Sequence, residues 1–145
     1  MNDGTVAASE PRKRRRGWNP VRKGAEFERE VVRRLRGLGW FVVRSAGSKT
    51  VVDIVALPPM SAPAEWKTTT LIQVKSHHRA LSKSEVRAQL ELSYRYGAVD
   101  VAHCYPGAEP GVVILKNLIG GAIYELSVPP DGDQPLRVVG DALKQ

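Results

Sequence analysis

The order in which apolar patterning changes along the chain is the feature that most constrains its fold. Apolar residues first recur at helical spacing from Phe27 to Leu38 and glycines then end the run, so a helix is predicted over about 24–37. Beyond it the pattern changes to short β-prone segments separated by turn residues. These predicted strands lie at 40–44, 51–57, 69–75, 99–105 and 111–116, and a last strand is possible at 122–128.

A second helix interrupts this series of strands. Ser82 and Glu85 have the spacing of a capping box, and Gly97 is a typical helix end. The apolar residues on one side of this helix are Val86, Leu90 and Tyr94. The order helix, three strands, helix and further strands predicts an α/β fold, with a five-stranded mixed sheet and flanking helices. It does not match the regular βαβ alternation of a doubly wound fold.

The positive charge of the chain is concentrated near its N-terminus. The 145 residues carry a formal net charge of +7, and residues 1–24 hold seven cationic and two anionic side chains. Residues 1–19 lack apolar periodicity, so we expect a disordered basic arm there. Such an arm on a nearly balanced body favours nucleic acid as the partner, through Arg14, Arg15 and Arg16 among others. A solvated tail or a localisation signal is the alternative.

Other classes of protein fit the sequence poorly. No apolar run approaches the ~18 residues needed to cross a bilayer, and no apolar segment marks a secretion signal. The single cysteine, Cys104, allows no internal disulfide. We therefore expect no membrane partner and a cytoplasmic location, or the host cytoplasm if the chain is viral.

Four polar residues stand in or beside segments that should otherwise be buried. Asp53 precedes an apolar run, and Lys75 follows another, although charged residues are rarely buried without partners. Alternation along the strand places Gln73 and Lys75 on one face. Glu28 borders the apolar side of the first helix. These side chains could converge at one edge of the sheet, or they could be edge charges in unrelated salt bridges.

A convergent set of this kind has a chemical meaning. Carboxylate and amide oxygens suit a hard cation such as Mg²⁺, which keeps several of its waters. Such a cation polarises a phosphate and lowers the pKa of a bound water, while a lysine can hold the attacking water and stabilise developing charge. The sequence therefore favours hydrolysis of a phosphodiester bond.

Four motifs in order resemble archaeal-type Holliday junction resolvases of the PD-(D/E)XK nuclease superfamily. The first is the helical run 23–30, and the second is the strand and turn 41–48. The third and fourth are 52–56 and 72–76, which resemble the two halves of the nuclease signature. The resemblance covers about 22–117 and implies a restriction-endonuclease-like fold. On this reading residues 20–128 form the nuclease domain and 129–145 a C-terminal extension.

The resemblance also implies an activity and a set of site residues. It implies a homodimer that cuts branched double-stranded DNA near a four-way branch point with Mg²⁺, for which Mn²⁺ can substitute. The implied metal ligands are Glu28, Asp53 and Gln73. The implied catalytic residues are Lys75, Glu28, Asp53, Arg44 and Ser48. Beside the arm arginines, the expected DNA contacts are Lys23, Arg29, Arg44, Lys49 and His77.

One departure from the family pattern bears on the chemistry. Gln73 stands where the family usually has Glu, so an uncharged amide oxygen replaces a carboxylate. We expect weaker Mg²⁺ binding than in a Glu variant, since an ion–dipole contact replaces an ion–ion contact. A carboxylate elsewhere, at Glu65, Glu85 or Glu91, could compensate. Val52 stands where the signature's proline would be, which matters less.

Two other functions remain open from the sequence. A nuclease of the same superfamily could act on flaps or restriction sites instead of junctions. The Gln73 departure and the basic arm also fit a catalytically weak or architectural DNA-binding protein.

Overall fold

The computed structural model describes residues 20–45, 50–77, 80–97 and 99–128. The predicted basic arm 1–19, the extension 129–145 and the turn residues Ser48 and Lys49 lie outside these ranges. In the described part of the chain, neither helix is both long and apolar enough to span a bilayer.

The first helix, α1, spans Pro20–Gly37 and begins four residues before its predicted start. Proline is well tolerated in a first helical turn, because its fixed φ suits the helix and no intrahelical bond needs its missing N–H. Val31, Val32 and Leu35 are buried beneath the helix. Gly39 takes a positive φ of 94°, which turns the chain after the helix end toward the first strand.

Six strands follow, with the second helix between the third and the fourth. They are β1 (Phe41–Arg44), β2 (Ile54–Leu57), β3 (Thr69–Val74), β4 (Val99–Pro106), β5 (Val113–Asn117) and β6 (Ile123–Glu125), and α2 spans Lys83–Tyr96. The strands lie side by side in chain order. Every neighbouring pair is antiparallel except β3 and β4, which are parallel and joined through α2. The predicted mixed α/β sheet with flanking helices is thus confirmed.

The predicted number of five strands is wrong, because a short sixth strand completes the sheet. Gly120 and Gly121 both take positive φ in the turn that leads from β5 to β6. Tyr124 of β6 then packs against Trp40 and Trp66, with ring centroids 6.4 and 6.3 Å away. The buried aromatic contacts explain why three residues suffice to form this strand.

The two faces of the sheet have different partners. The main core lies on the face that α1 covers, where Ile54, Ile72 and Cys104 are fully buried. Since side chains alternate along a strand, Gln73 and His103 face the opposite side. On that side α2 packs over β4, and buried Gln89 donates a hydrogen bond to the carbonyl of Ala102. Residues at the ends of β2 and β3 therefore lie between the two helical layers.

Candidate active site

Asp53 lies immediately before β2, one residue outside the strand that was predicted to contain it. Its backbone extends the sheet, because its N–H donates to Ile72 and its carbonyl accepts from Ser45, each at 2.8 Å. Its side-chain Oδ2 also accepts a hydrogen bond of 2.8 Å from the N–H of Val74. The carboxylate is thus held where β2 begins and β3 ends.

The electrostatic surroundings of Asp53 identify its neighbours. Burial raises the pKa of Asp53, and the nearby Glu28 carboxylate raises it further. The hydrogen bond from Val74 and the ammonium group of Lys75 act in the opposite direction. Glu28 on α1 and Lys75 just after β3 therefore act on the pKa of Asp53 in opposite directions.

Glu28 and Arg44 form an ion pair between α1 and β1. The Nε atom of Arg44 lies 2.8 Å from Oε2 of Glu28. Most of the Glu28 side chain is covered, whereas the guanidinium-bearing side chain of Arg44 is 44% exposed. Arg44 can therefore reach a ligand at the surface while it balances the charge of Glu28.

Gln73, Lys75 and Glu85 form a second group on the α2 side of the sheet. Lys75 follows β3 directly, and its Nζ lies 2.6 Å from Oε2 of Glu85 in the first turn of α2. The same Oε2 accepts a long hydrogen bond of 3.5 Å from the Gln73 amide. Gln73 is only 8% exposed, and its Oε1 has no hydrogen-bond partner within the described residues. The hydrogen bond from Lys75, followed by that from Ser82, lowers the pKa of Glu85 to about 2.

Asp53 connects the Glu28–Arg44 pair to the group around Lys75. The structure thus brings Glu28, Arg44, Asp53 and Lys75 to one end of the sheet, with Gln73 beside Lys75. The predicted DNA contacts are more dispersed. Arg29 is exposed on α1, and Lys23 and His77 line a shared groove between that helix and the segment 106–113. Arg14, Arg15, Arg16, Ser48 and Lys49 lie outside the described residues.

The donor set suits a sparsely liganded hard cation. Among the described residues, no three or more His, Cys, Asp or Glu side chains form a cluster that could hold a metal. Mg²⁺ does not need one, because it usually takes one or two carboxylates and keeps waters. Oxygen donors at this end of the sheet include the carboxylates of Glu28 and Asp53 and the buried Oε1 of Gln73, which has no hydrogen-bond partner among the described residues. A cation would satisfy that oxygen and lower the electrostatic cost of Asp53.

The sequence pattern does not predict the contacts that Glu85 makes with Lys75 and Gln73. Its spacing from Ser82 identified the capping box, which the structure confirms with both reciprocal hydrogen bonds present. The capping box alone was therefore enough to explain a glutamate at position 85. Its contacts with Lys75 and Gln73 depend on how α2 docks on the sheet, and the only sequence signal for them was the missing charge at position 73.

The chain is similar to known proteins in two comparisons. The sequence model of the archaeal Holliday junction resolvase family matches residues 19–101, more than half of the chain. The solved structure of a Holliday junction resolvase from the archaeal hyperthermophile Archaeoglobus fulgidus shares 26% sequence identity. That match covers 81% of this chain and 96% of the other, with a TM-score of 0.48.

Proposed function

The chain belongs to the archaeal Holliday junction resolvase family, and we propose that it cuts four-way DNA junctions with Mg²⁺ held beside Asp53. As a member of this family it is an endonuclease that acts on DNA junctions and uses a divalent metal. The single observation that carries the finer proposal is the position of Asp53. Its side chain accepts a hydrogen bond from Val74, the residue before Lys75, and its carbonyl accepts one from Ser45, the residue after Arg44. We infer that the enzyme works in the cytoplasm of the cell or host that contains its DNA.

The side chains divide the work of phosphodiester hydrolysis. Glu28, Asp53 and the Oε1 atom of Gln73 would hold Mg²⁺, with Mn²⁺ as a substitute. The bound ion would supply charge neutralisation at the phosphate and a more acidic water. Lys75 holds the attacking water with its ammonium group and stabilises the charge that develops on the phosphate. Arg44 reaches the scissile phosphate from its exposed position, and Ser48 remains a sequence-based prediction.

The DNA path is proposed to follow the basic residues around this end of the sheet. Lys23 and His77 line one groove beside α1, and Arg29 and Arg44 are exposed on neighbouring elements. Contacts of these residues with phosphates would set the position of the junction without reading its sequence. Lys49 and the arm residues Arg14, Arg15 and Arg16 would extend the contact.

We propose that two copies of the chain form a dimer through α2. Gln89 is the buried residue of this helix, whereas Val86, Leu90 and Tyr94 line an open apolar groove and Tyr94 is 90% exposed. A four-way junction offers two equivalent strands to cut, which a two-fold dimer matches. A second copy is therefore the occupant that best suits this surface.

The catalytic proposal is tested by cleavage of a synthetic four-way junction with and without Mg²⁺. Lys75→Ala is expected to lower the single-turnover rate roughly 100- to 1000-fold, the usual loss for a group that stabilises transition-state charge. Lys116→Ala removes the same charge from the exposed surface of β5 and should leave the rate unchanged. Equal rates for wild type and Lys75→Ala would contradict the assigned role.

The choice of substrate separates the competing functions. Paired symmetric nicks in the junction, with flaps and linear duplex left intact, support the proposal. Preferential cutting of flaps or linear duplex would indicate another nuclease of the same superfamily. Asp53→Asn should abolish cleavage and retain junction binding. A wild type that binds junctions and cuts none of these substrates would indicate an architectural protein.

The dimer is tested by light scattering after size-exclusion chromatography. Leu90→Glu should convert the dimer to a monomer, because it places a charge in the apolar groove. It should also replace paired cuts by single nicks. Tyr96→Glu adds a carboxylate at an exposed position of α2 that does not line the groove, and it should leave the dimer intact. A wild type that is monomeric with junction DNA bound would contradict the assembly.

A further inference from the structure

The two oxygens of Glu85 serve two different parts of the molecule. Oε1 accepts a hydrogen bond of 2.9 Å from the N–H of Ser82 and so closes the capping box of α2. Oε2 lies 2.6 Å from the Lys75 ammonium and 3.5 Å from the Gln73 amide nitrogen. The first turn of the helix therefore delivers a fixed negative charge to the residues at the end of β3.

This contact determines which way the Gln73 amide points. An ionised carboxylate only accepts hydrogen bonds, so the NH₂ group of Gln73 must face Glu85. The Oε1 atom then points away from Glu85, and it is buried there with no hydrogen-bond partner in the part of the chain that the structure describes. A carboxylate at position 73 would instead face Glu85 with like charge. Glutamine at position 73 and glutamate at position 85 are thus chemically matched.

The same contact determines where Lys75 is held. Lys75 is only partly exposed and approaches both Glu85 and Asp53, so its charge is balanced from two sides. Without Glu85, Asp53 alone would oppose the positive charge of the ammonium group, beside a site that should attract a cation. Glu85 therefore affects the charge and the geometry of the site through Lys75 and Gln73.

We propose that Glu85 is a positioning residue of the metal site, which supplies the negative charge that Gln73 lacks and turns the Gln73 oxygen toward the cation. This inference rests on the proposed function, since it assumes that Asp53 and Gln73 hold a divalent ion. It identifies which of the alternative carboxylates compensates. Glu65 is exposed in the loop between β2 and β3, and Glu91 is exposed on α2, where it contacts Arg95.

The first test measures Mn²⁺ binding without DNA, by electron paramagnetic resonance or calorimetry. Glu85→Gln removes the charge but keeps a capping-box residue, since glutamine also serves at this position. It should weaken Mn²⁺ binding roughly 10- to 100-fold, the usual effect of losing a partner that orients metal ligands. Glu91→Gln removes the same charge from an exposed site of the same helix and should bind like wild type. Equal affinities for the two variants would overturn the inference.

The second test exchanges the two side chains. Gln73→Glu combined with Glu85→Gln keeps one amide and one carboxylate in contact, and should bind Mn²⁺ at least as tightly as wild type. Gln73→Glu alone should bind less tightly than the exchanged pair, because its new carboxylate faces Glu85. An exchanged pair as weak as Glu85→Gln would overturn the inference.

The two levels of the proposal fail in different ways. If wild type binds no Mn²⁺ and cuts no junction, both the metal site and the role of Glu85 are contradicted. If wild type binds Mn²⁺ and cuts junctions, and Glu85→Gln does both equally well, only the role of Glu85 is contradicted. Urea unfolding of every variant verifies that α2 and the fold are retained.

Discussion

At the scale of single residues, Asp53 carries its carboxylate where a negative charge is unfavourable. Burial is the main cause that raises the pKa of Asp53, and Glu28 adds to it. A divalent cation at this point would reverse the balance, because it favours the charged form. The residue should therefore cost stability in the metal-free protein and contribute to binding in the metal-loaded one.

Replacement of this carboxylate is expected to stabilise the metal-free protein. Asp53→Asn keeps an acceptor for the Val74 N–H and removes the buried charge, so the free energy of unfolding in EDTA at neutral pH should rise by on the order of 1 kcal/mol. Because the pKa of Asp53 is raised by folding, the folded wild type binds protons more tightly than the unfolded chain. The free energy of unfolding of wild type should therefore rise relative to that of Asp53→Asn as the pH falls toward 3.8, the ordinary pKa of this group.

Urea unfolding in EDTA at several pH values measures this difference. Added Mn²⁺ should stabilise the wild type and leave Asp53→Asn almost unchanged. A metal-free wild type that is more stable than the variant at neutral pH would show that Asp53 serves the fold instead.

His103 should make the fold sensitive to acid. It is 4% exposed in β4, and its Nε2 has no hydrogen-bond partner within the described residues. Burial is the main cause that lowers the pKa of His103 to about 4; Lys75, His77 and Lys116 act in the same direction, and Glu85 opposes them. Between pH 6.5 and about 4 the unfolded chain binds this proton and the folded chain does not, so stability falls as pH falls.

The size of this effect is measurable against a variant that cannot titrate. Wild type should lose roughly 3 kcal/mol more than His103→Gln between about pH 7 and pH 4, as a shift of this size implies. Unfolding by urea at both pH values gives the two losses. Parallel losses in wild type and variant would rule out His103 as the cause.

At the scale of elements, periodicity predicted much of the fold. Both helices and the first five strands lie near their predicted positions, because their apolar spacing reflects which side chains the core must bury. The short β6 was only a possible strand, since Ile123–Glu125 owes its position to contacts of Tyr124 with distant tryptophans. Contacts of this kind have no local signature in sequence.

Contacts between residues distant in sequence also decide which charged side chains are buried, and the sequence pattern does not show them. Asp53 and Lys75 stand out in the sequence because they interrupt apolar segments, but Arg34 resembles the neighbouring arginines of α1. In the structure its side chain is 7% exposed and contacts Glu30, and it donates hydrogen bonds to the carbonyls of Gly111 and Leu126. Arg34 thus attaches α1 to the ends of β5 and β6.

Loss of this attachment should destabilise the protein strongly. Arg34→Met keeps a buried side chain but leaves two carbonyls and part of Glu30 without their partner, at a cost of about 3–5 kcal/mol. Arg33→Met is the matched control, because Arg33 contacts the same Glu30 from a side chain that is 41% exposed. This control should lower the free energy of unfolding by at most about 1 kcal/mol. Similar losses for the two variants in urea unfolding would contradict the role given to Arg34.

At the scale of the whole molecule, the positive charge is concentrated in the N-terminal segment that was predicted to be a basic arm. Residues 1–17 contain five cationic and two anionic side chains, all in a segment without apolar periodicity. In the body, by contrast, Glu28, Glu30 and Glu85 each bind a named cationic side chain. Attraction to the DNA backbone should therefore depend disproportionately on the arm.

Deletion of residues 1–17 is expected to weaken junction binding and flatten its salt dependence. Each lost phosphate contact removes counterion release, so the slope of log affinity against log salt should fall by roughly one per contact. An arm of the same composition in scrambled order should behave like wild type, because phosphate contacts carry no sequence information. The single-turnover cleavage rate at saturating protein should not change, since Asp53 and Lys75 remain in place. An unchanged salt slope would assign the phosphate contacts to the body, and a lost cleavage rate would give the arm a part in positioning the scissile strand.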